Sequence, residues 1–316
     1  MESVVQSGDK EIDSLWKRVS EGQGRDKAEA LLQLSYKASQ EGDFDESLAL
    51  CETAREIYED FDELSAKSML AHTFFGIGHS LRHLDRFAEA AIALAKSVEL
   101  YQEIGSEDAL HILNEEGDAW YEAKEYQKSY DAYRRAIEDS NPDTCDSIVA
   151  RNYVDAGTAL EKLKEWSKAL EHFTEGRARY KKLKDLRTMA HCDEEISLCY
   201  VWLGDGVSAL VHAQLALDYA VTAEDEVHLM WAKARMALSK KTLGQYQEAL
   251  DLFADAKSMM VSQSNPPWKA IVKLERQNAD ILKKLGRMDA ASEVLRRISS
   301  FEEIFLDENE RGDPIV

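Results

Sequence analysis

His79 and His83 sit one helical turn apart, and on a helix residues i and i+4 share a face. That is metal-ligand spacing, and His72 lies on nearly the same stripe. The zinc-protease pattern H-E-x-x-H is missing, however, because no Glu follows the first His, and no third close ligand is evident. A polar stripe is the expected role, and no metal site is expected. His191, Cys192 and Cys199 raise the same question. The two cysteines are two helical turns apart, too far to share one ion unaided. The four cysteines, Cys51, Cys145, Cys192 and Cys199, form no CxxC pair and no disulfide framework. Small buried apolar cysteines are the default. No phosphate loop, dinucleotide fingerprint or nucleophile elbow is present. Carboxylate pairs abound, but with 60 acidic residues their pairing carries no information about acid–base work. The expectation is a protein without catalytic residues or a cofactor.

The charge balance narrows the partners. Net charge is −21, which repels phosphate backbones and anionic lipid surfaces. Nucleic acid and membrane are therefore not expected, whereas protein or peptide partners fit. Self-association is left open. No apolar run is long enough to span a bilayer, and the first residues, MESVVQSGDKEIDS, lack the basic start and apolar core of a signal peptide. With this cysteine usage a cytoplasmic location is the simplest expectation. Apolar residues make up 44% of the 316, enough for a sizeable core, and Ala, Leu, Glu and Lys dominate, so the fold class is all-α.

These residues must be positioned by something, and a repeat supplies it. TLGQYQEALDLFADA at 242–256 has counterparts at 83–97, 162–176 and 202–216. Aligned on a small residue near the start of the second helix, the copies fall at Ser47, Ala90, Ser129, Ala169, Ala209, Ala249 and Ala291, spaced 43, 39, 40, 40, 40 and 42. Twelve residues upstream, all seven are small: Ser35, Gly78, Gly117, Gly157, Ser197, Ala237 and Ala279. Four downstream, apolar and mostly bulky residues recur: Cys51, Leu94, Tyr133, Phe173, Ala213, Phe253 and Leu295. Helices cross closely only where side chains are small, and a bulky neighbour fills the space beside the crossing. Each unit reads as a helical hairpin that completes its burial by stacking on the next.

These columns resemble the tetratricopeptide repeat (TPR) family over residues 28–300, although the period is near 41 rather than about 34. Longer-period repeats of this kind are similar to those of kinesin light chains and of bacterial peptide-sensing TPR receptors. The resemblance implies a right-handed superhelical solenoid of seven hairpins whose first helices line a concave groove. Carried over residue by residue, the groove positions include His72, His79, Arg82, His111, Asn114, Asp118, Tyr121, Arg151, Asp155, Glu194, Trp202, Trp231, Arg235, Lys273, Arg276 and Lys283. The middle is acidic, through Glu115, Asp118, Asp155, Glu194 and Glu195, and the C-terminal end is basic, through Arg235, Lys241, Lys273, Arg276, Lys283 and Lys284. Such polarity orients an extended peptide. Asn114 is the expected backbone clamp, and Tyr121, Trp202 and Trp231 the expected anchors. The alternative for every charge is a solvated face laced by ion pairs between neighbouring helices. The Lys, Asn and Arg set of chaperone-binding TPRs is not matched.

Three segments follow: residues 1–27 with a capping helix carrying Ile12, Leu15, Trp16 and Val19 on one face, the repeats at 28–300, and 301–316 as a short cap through Phe301, Ile304 and Phe305 with an acidic tail. Residues 1–9 are expected to be disordered, and the repeats to form one continuous domain. The expected function is a non-enzymatic scaffold holding a peptide or protein segment. The alternative is a regulatory receptor whose superhelix is switched by a short signalling peptide. The 27 residues before the first hairpin are too few for the output domain such receptors carry, which favours the scaffold.

Overall fold

The small-residue columns place helix crossings, and the helices lie where those columns require. A computed structural model describes the backbone of residues 10–140 and 146–305, without the side chains of 146, 301 and 303–305. The expectations for residues 1–9, Cys145, the side chains of Phe301, Ile304 and Phe305, and the acidic tail lie outside the described residues. The described residues form helices and turns and contain no strand. In order they are α1 (Lys10–Glu21), α2 (Gly24–Glu41), α3 (Phe44–Tyr58), α4 (Leu64–His83), α5 (Phe87–Glu103), α6 (Asp108–Glu122), α7 (Tyr126–Glu138), α8 (Asp146–Lys162), α9 (Trp166–Leu183), α10 (Leu186–Trp202), α11 (Gly206–Thr222), α12 (Glu226–Thr242), α13 (Tyr246–Val261), α14 (Trp268–Lys284) and α15 (Met288–Phe305). The all-α class is as expected from composition.

The chain divides into two units, residues 1–159 and 160–316, with the division inside α8. In the first unit each helix from α1 to α7 packs on the next. In the second, the same holds from α9 to α15. Packing of sequence neighbours is the signature of stacked hairpins, in which each hairpin leaves an apolar face for the next to cover. In the first unit α1 packs against α2, with Leu15 buried and Ile12, Trp16 and Val19 against the same core.

The crossings explain why the columns are small. Ser47, Ala90, Ser129, Ala169, Ala209, Ala249 and Ala291 are all buried. In the first unit a Cβ at Gly78 would lie 2.6 Å from Leu94 Cγ, and one at Gly117 would lie 2.5 Å from Tyr133 Cε1. Each glycine thus faces the bulky residue of the downstream column in its own hairpin. Where serine replaces glycine, its hydroxyl is satisfied internally: Ser197 Oγ donates to the Ala209 carbonyl at 2.8 Å. The bulky partners Phe173 and Phe253 are fully buried, each contributing about 2–3 kcal/mol by removal of its ring from water.

Helix ends carry the turn chemistry of the repeated motif. Gly204 and Gly244 have φ of +82° and +76°, the left-handed region that glycine enters without a Cβ clash. Asp205 N donates to Tyr200 O at 2.9 Å and Gln245 N to Lys240 O at 2.9 Å, closing each helix C-terminus. Asp43, Asp185, Asp205 and Asp225 then cap the next helices, each carboxylate accepting from a backbone amide of the first turn.

The crossing at Gly117 is directly testable. Tyr133 cannot swing aside freely, because its hydroxyl donates to Asp118 Oδ1 at 2.6 Å. Gly117→Val is therefore expected to lower unfolding free energy by about 1–3 kcal/mol through overpacking, measured by urea denaturation. An unchanged midpoint would mean that the glycine column does not mark a crossing.

Candidate functional site

In each unit the first helices of successive hairpins line a hollow. In the first unit, a hollow of about 420 Å³ is bordered by His72 and Phe75 of α4, Tyr101 of α5, His111, Asn114 and Glu115 of α6, and Arg151 of α8. An ion and hydrogen-bond network underlies and flanks it. Arg82 pairs with Glu115 and, at 3.0 Å, with Glu122. Arg151 donates to Asp118 at 3.2 Å and to Asp155 at 3.3 Å. Asn114 is buried and donates to Asn152 Oδ1 at 2.8 Å and Asp155 Oδ2 at 3.2 Å. Asp118 also accepts from the buried Tyr133 hydroxyl.

In the second unit the hollow is larger, about 720 Å³. Leu198 and Trp202 of α10, Trp231 and Leu238 of α12, Tyr246 of α13 and Leu274 of α14 give it an apolar, aromatic wall. Arg235, Lys241, Lys269, Lys273 and Lys284 also line it, against one lining carboxylate, Glu161. Of these cations Arg235 pairs with Glu195, and Lys241 and Lys284 pair with Asp280. Trp202 is 44% exposed and stacks on Trp166, with ring centroids 5.2 Å apart and planes 10° apart. The stack holds a large ring at the hollow's edge with little rotamer freedom left to lose. Lys241 is held by Asp280 at 2.6 Å and by Gln277.

Beneath this hollow lies a cluster of buried ionisable groups. Arg235 Nη2 donates to Glu195 at 2.9 Å, and His228 Nδ1 donates to Glu194 Oε1 at 3.0 Å. Burial pushes the Glu194 carboxyl up to about 7, against the lowering effect of His228. Burial and then Glu195 push Glu161 up to about 7. Burial also works to raise Glu195, but Arg235 and His191 outweigh it and hold the carboxyl below its ordinary value. The hydrogen bond to Glu194 raises His228, while burial lowers His191. Burial pushes the thiols of Cys192 and Cys199 well above the usual range, so both remain thiols at neutral pH.

The sixteen groove candidates separate into groups. His72, His111, Asn114 and Arg151 line the first hollow, and Trp202, Trp231, Arg235 and Lys273 line the second. Arg82, Asp118 and Asp155 belong to the ion network of the first unit. Glu194 belongs to the buried cluster of the second. His79 lies between Phe75 and His83, and the His83 ring stacks on Phe44 with centroids 4.0 Å apart. Tyr121 packs edge-on against Tyr126. Arg276 donates to Glu302 of α15 at 2.6 Å, and Lys283 is exposed at the end of α14. Lys269, Tyr246 and Glu161 were not among the candidates, yet they line the second hollow. Tyr246 lies inside the repeated stretch TLGQYQEALDLFADA, three residues before Ala249, and could have been chosen from it. Lys269 carries no sequence signal, because it precedes the repeat's recurrent columns.

The architecture defined by these features is an all-α repeat of stacked helical hairpins with first helices lining the hollows. Comparison with solved structures gives that architecture a more specific description: it is a TPR-like helical-repeat fold. The apo form of RapI matches with a TM-score of 0.61 at 13% identity, over 88% of this chain and 98% of that one. The apo form of the quorum sensor NprR from B. thuringiensis matches with a TM-score of 0.57 at 13% identity, over 92% of this chain and 80% of that one. A signal transduction ATPase with numerous domains and a tetratricopeptide repeat sensor, from Pyrococcus horikoshii, gives 0.64 at 15% identity. It is matched over 95% of this chain, which spans 45% of that protein's length. No protein-family model matches the chain, and no curated protein sequence does. Among the described residues, no helix is long and apolar enough to cross a membrane.

The network in the first unit has a pH signature. Burial and then repulsion by Asp118 push Asp155 up to about 6, against the lowering effects of Arg151 and Asn114. An unfolded Asp titrates near about 3.9, so the folded chain holds the extra proton between these values. The stability from this group is fully present below about pH 4 and is lost as pH rises through about 6. Asp155→Asn mimics the protonated form. It is expected to reduce the loss of stability between pH 4.5 and 7 by on the order of 1 kcal/mol, read from urea midpoints at both values. Equal losses in both proteins would show that Asp155 titrates normally.

Proposed function

We propose that this chain is a non-enzymatic interaction scaffold that holds a peptide or protein segment along the first-helix face of its hairpins. The observation that carries this reading is the hollow of the second unit. Its aromatic and aliphatic wall suits a bulky apolar side chain, and its lysines suit a carboxylate beside that side chain. Ligand sites combine an apolar lining with a few placed polar groups in this way. The segment that fits is therefore apolar with adjacent Asp or Glu. Preorganisation supports the same reading: Trp202 is held by Trp166 and Lys241 by Asp280, so little side-chain entropy is lost on binding. The partner is a protein or peptide and the setting is the cytoplasm, in keeping with the acidic charge and the reduced cysteines.

A second reading draws on the names of proteins with similar folds, one a quorum sensor and one carrying a TPR sensor. In it, a short signalling peptide changes the shape of the chain and thereby its grip on a second protein. The two readings differ in the response of the chain's dimensions to peptide, which small-angle scattering measures.

A displayed peptide library separates the scaffold reading from a solvated, unoccupied face. Selected sequences are expected to carry an aromatic or large aliphatic residue beside acidic ones. Trp231→Ala and Lys273→Glu should each weaken a selected peptide by about tenfold or more, as for buried aromatic anchors and paired charges, with helicity unchanged by circular dichroism. Binding that survives both substitutions would move the site away from this hollow.

A further inference from the structure

His191, Glu194 and Glu195 lie at i, i+3 and i+4 on α10, so their side chains leave one face of one helix. One ligand atom from each falls within 4.8 Å of the others, and among the described residues this is the one such group of three. Other helices close around it. From α12, His228 bonds Glu194 at 3.0 Å and its ring lies 6.1 Å from that of His191, centroid to centroid. Arg235, also of α12, bonds Glu195. Glu161, in the last turn of α8, is near enough to Glu195 for the two carboxyls to repel.

Carboxyl groups predominate in this cluster. Three carboxylates, Glu161, Glu194 and Glu195, face one guanidinium, Arg235. Glu194 is 2% exposed, and the side chains of Glu195 and Arg235 are only 12% and 15% exposed. His228 adds a partner for Glu194, so a guanidinium and an imidazole, with the His191 ring beside them, meet three carboxylates where little water reaches. A divalent cation would meet buried carboxylate oxygens and an imidazole nitrogen already brought together. The donor set selects the ion: an imidazole nitrogen with two carboxylates suits zinc, whereas magnesium and calcium take all-oxygen sets. The hydrogen bond from His228 fixes the orientation of Glu194, as outer partners do in metal sites.

We infer that His191, Glu194 and Glu195 form a zinc-binding site, with His228 as the positioning residue behind Glu194. The site is independent of the proposed peptide binding. Its ion would be held by α10 alone and would reach α12 only through the hydrogen bond between Glu194 and His228. It is also distinct from the His79 and His83 pair, whose rings pack on each other and on Phe44.

The test uses the full chain, stripped with a chelator and titrated with Zn²⁺ by calorimetry and with Co²⁺ by visible absorption. One equivalent of each is expected, with Zn²⁺ raising the melting temperature. Glu194→Gln and His191→Ala should each weaken Zn²⁺ binding by about tenfold or more and abolish the Co²⁺ d–d bands. The double variant His79→Ala/His83→Ala should bind as the unaltered chain does. Glu194→Gln is nearly isosteric, so it keeps the test open if His191→Ala fails to fold. Three results would overturn the assignment: no Zn²⁺ bound by the unaltered chain, binding that survives Glu194→Gln, or binding lost in the His79/His83 variant. An intense near-ultraviolet thiolate band with Co²⁺ would place the ion on a cysteine instead and would overturn it as well.

Discussion

Everything in this structure depends on how closely two helices can approach. A Cβ at Gly78 or Gly117 would overlap the side chain opposite, and the aligning alanines and serines are buried to the same end. Close approach lets Leu94, Tyr133, Phe173 and Phe253 fill the flanking space as wedges. Each hairpin then presents one finished face and one unfinished face, and the next hairpin covers the latter. Helices within a unit consequently pack mainly on their sequence neighbours. The first helices, stacked side by side, present their remaining faces to the hollows.

The same stacking governs the charges. Equivalent positions in successive first helices lie about one repeat apart in sequence and adjacent in space. Arg82 reaches Glu122, and Arg235 reaches Glu195, each 40 residues away. Lys241 reaches Asp280 by the same rule. Partners of opposite sign in adjacent hairpins screen one another, which allows a chain of net charge −21 to place a guanidinium and several lysines along one hollow. Where the rule leaves an excess of carboxyls, as in the cluster around Glu194, burial raises Glu161 and Glu194 so that protons offset part of the cost.

Much of the fold was legible in the sequence because crossings constrain residue size, and size is written directly in the letters. Ser47 through Ala291 gave the hairpins their register, and the Leu-Gly pairs at 203–204 and 243–244 gave their turns. The sites were less legible, because a groove position says which way a side chain starts, not what it meets. Asn114, expected as a free clamp, spends its amide on Asn152 and Asp155. Glu194, expected in an open trough, is buried against His228. Lys269 entered the hollow without any recurring column to announce it. Partners contributed by other helices decide these outcomes, and no local pattern records them.

Hydrogen exchange tests the crossing constraint most directly. Ala249 is fully buried near the start of α13, which packs between α12 and α14. In Ala249→Leu, amide protection is expected to fall in α12, α13 and the adjoining α14 while α9 and α10 keep theirs, since stability in stacked repeats is local. Equal loss of protection from α9 to α15, or no loss in α12 and α13, would contradict the dependence of this fold on small residues at neighbouring crossings.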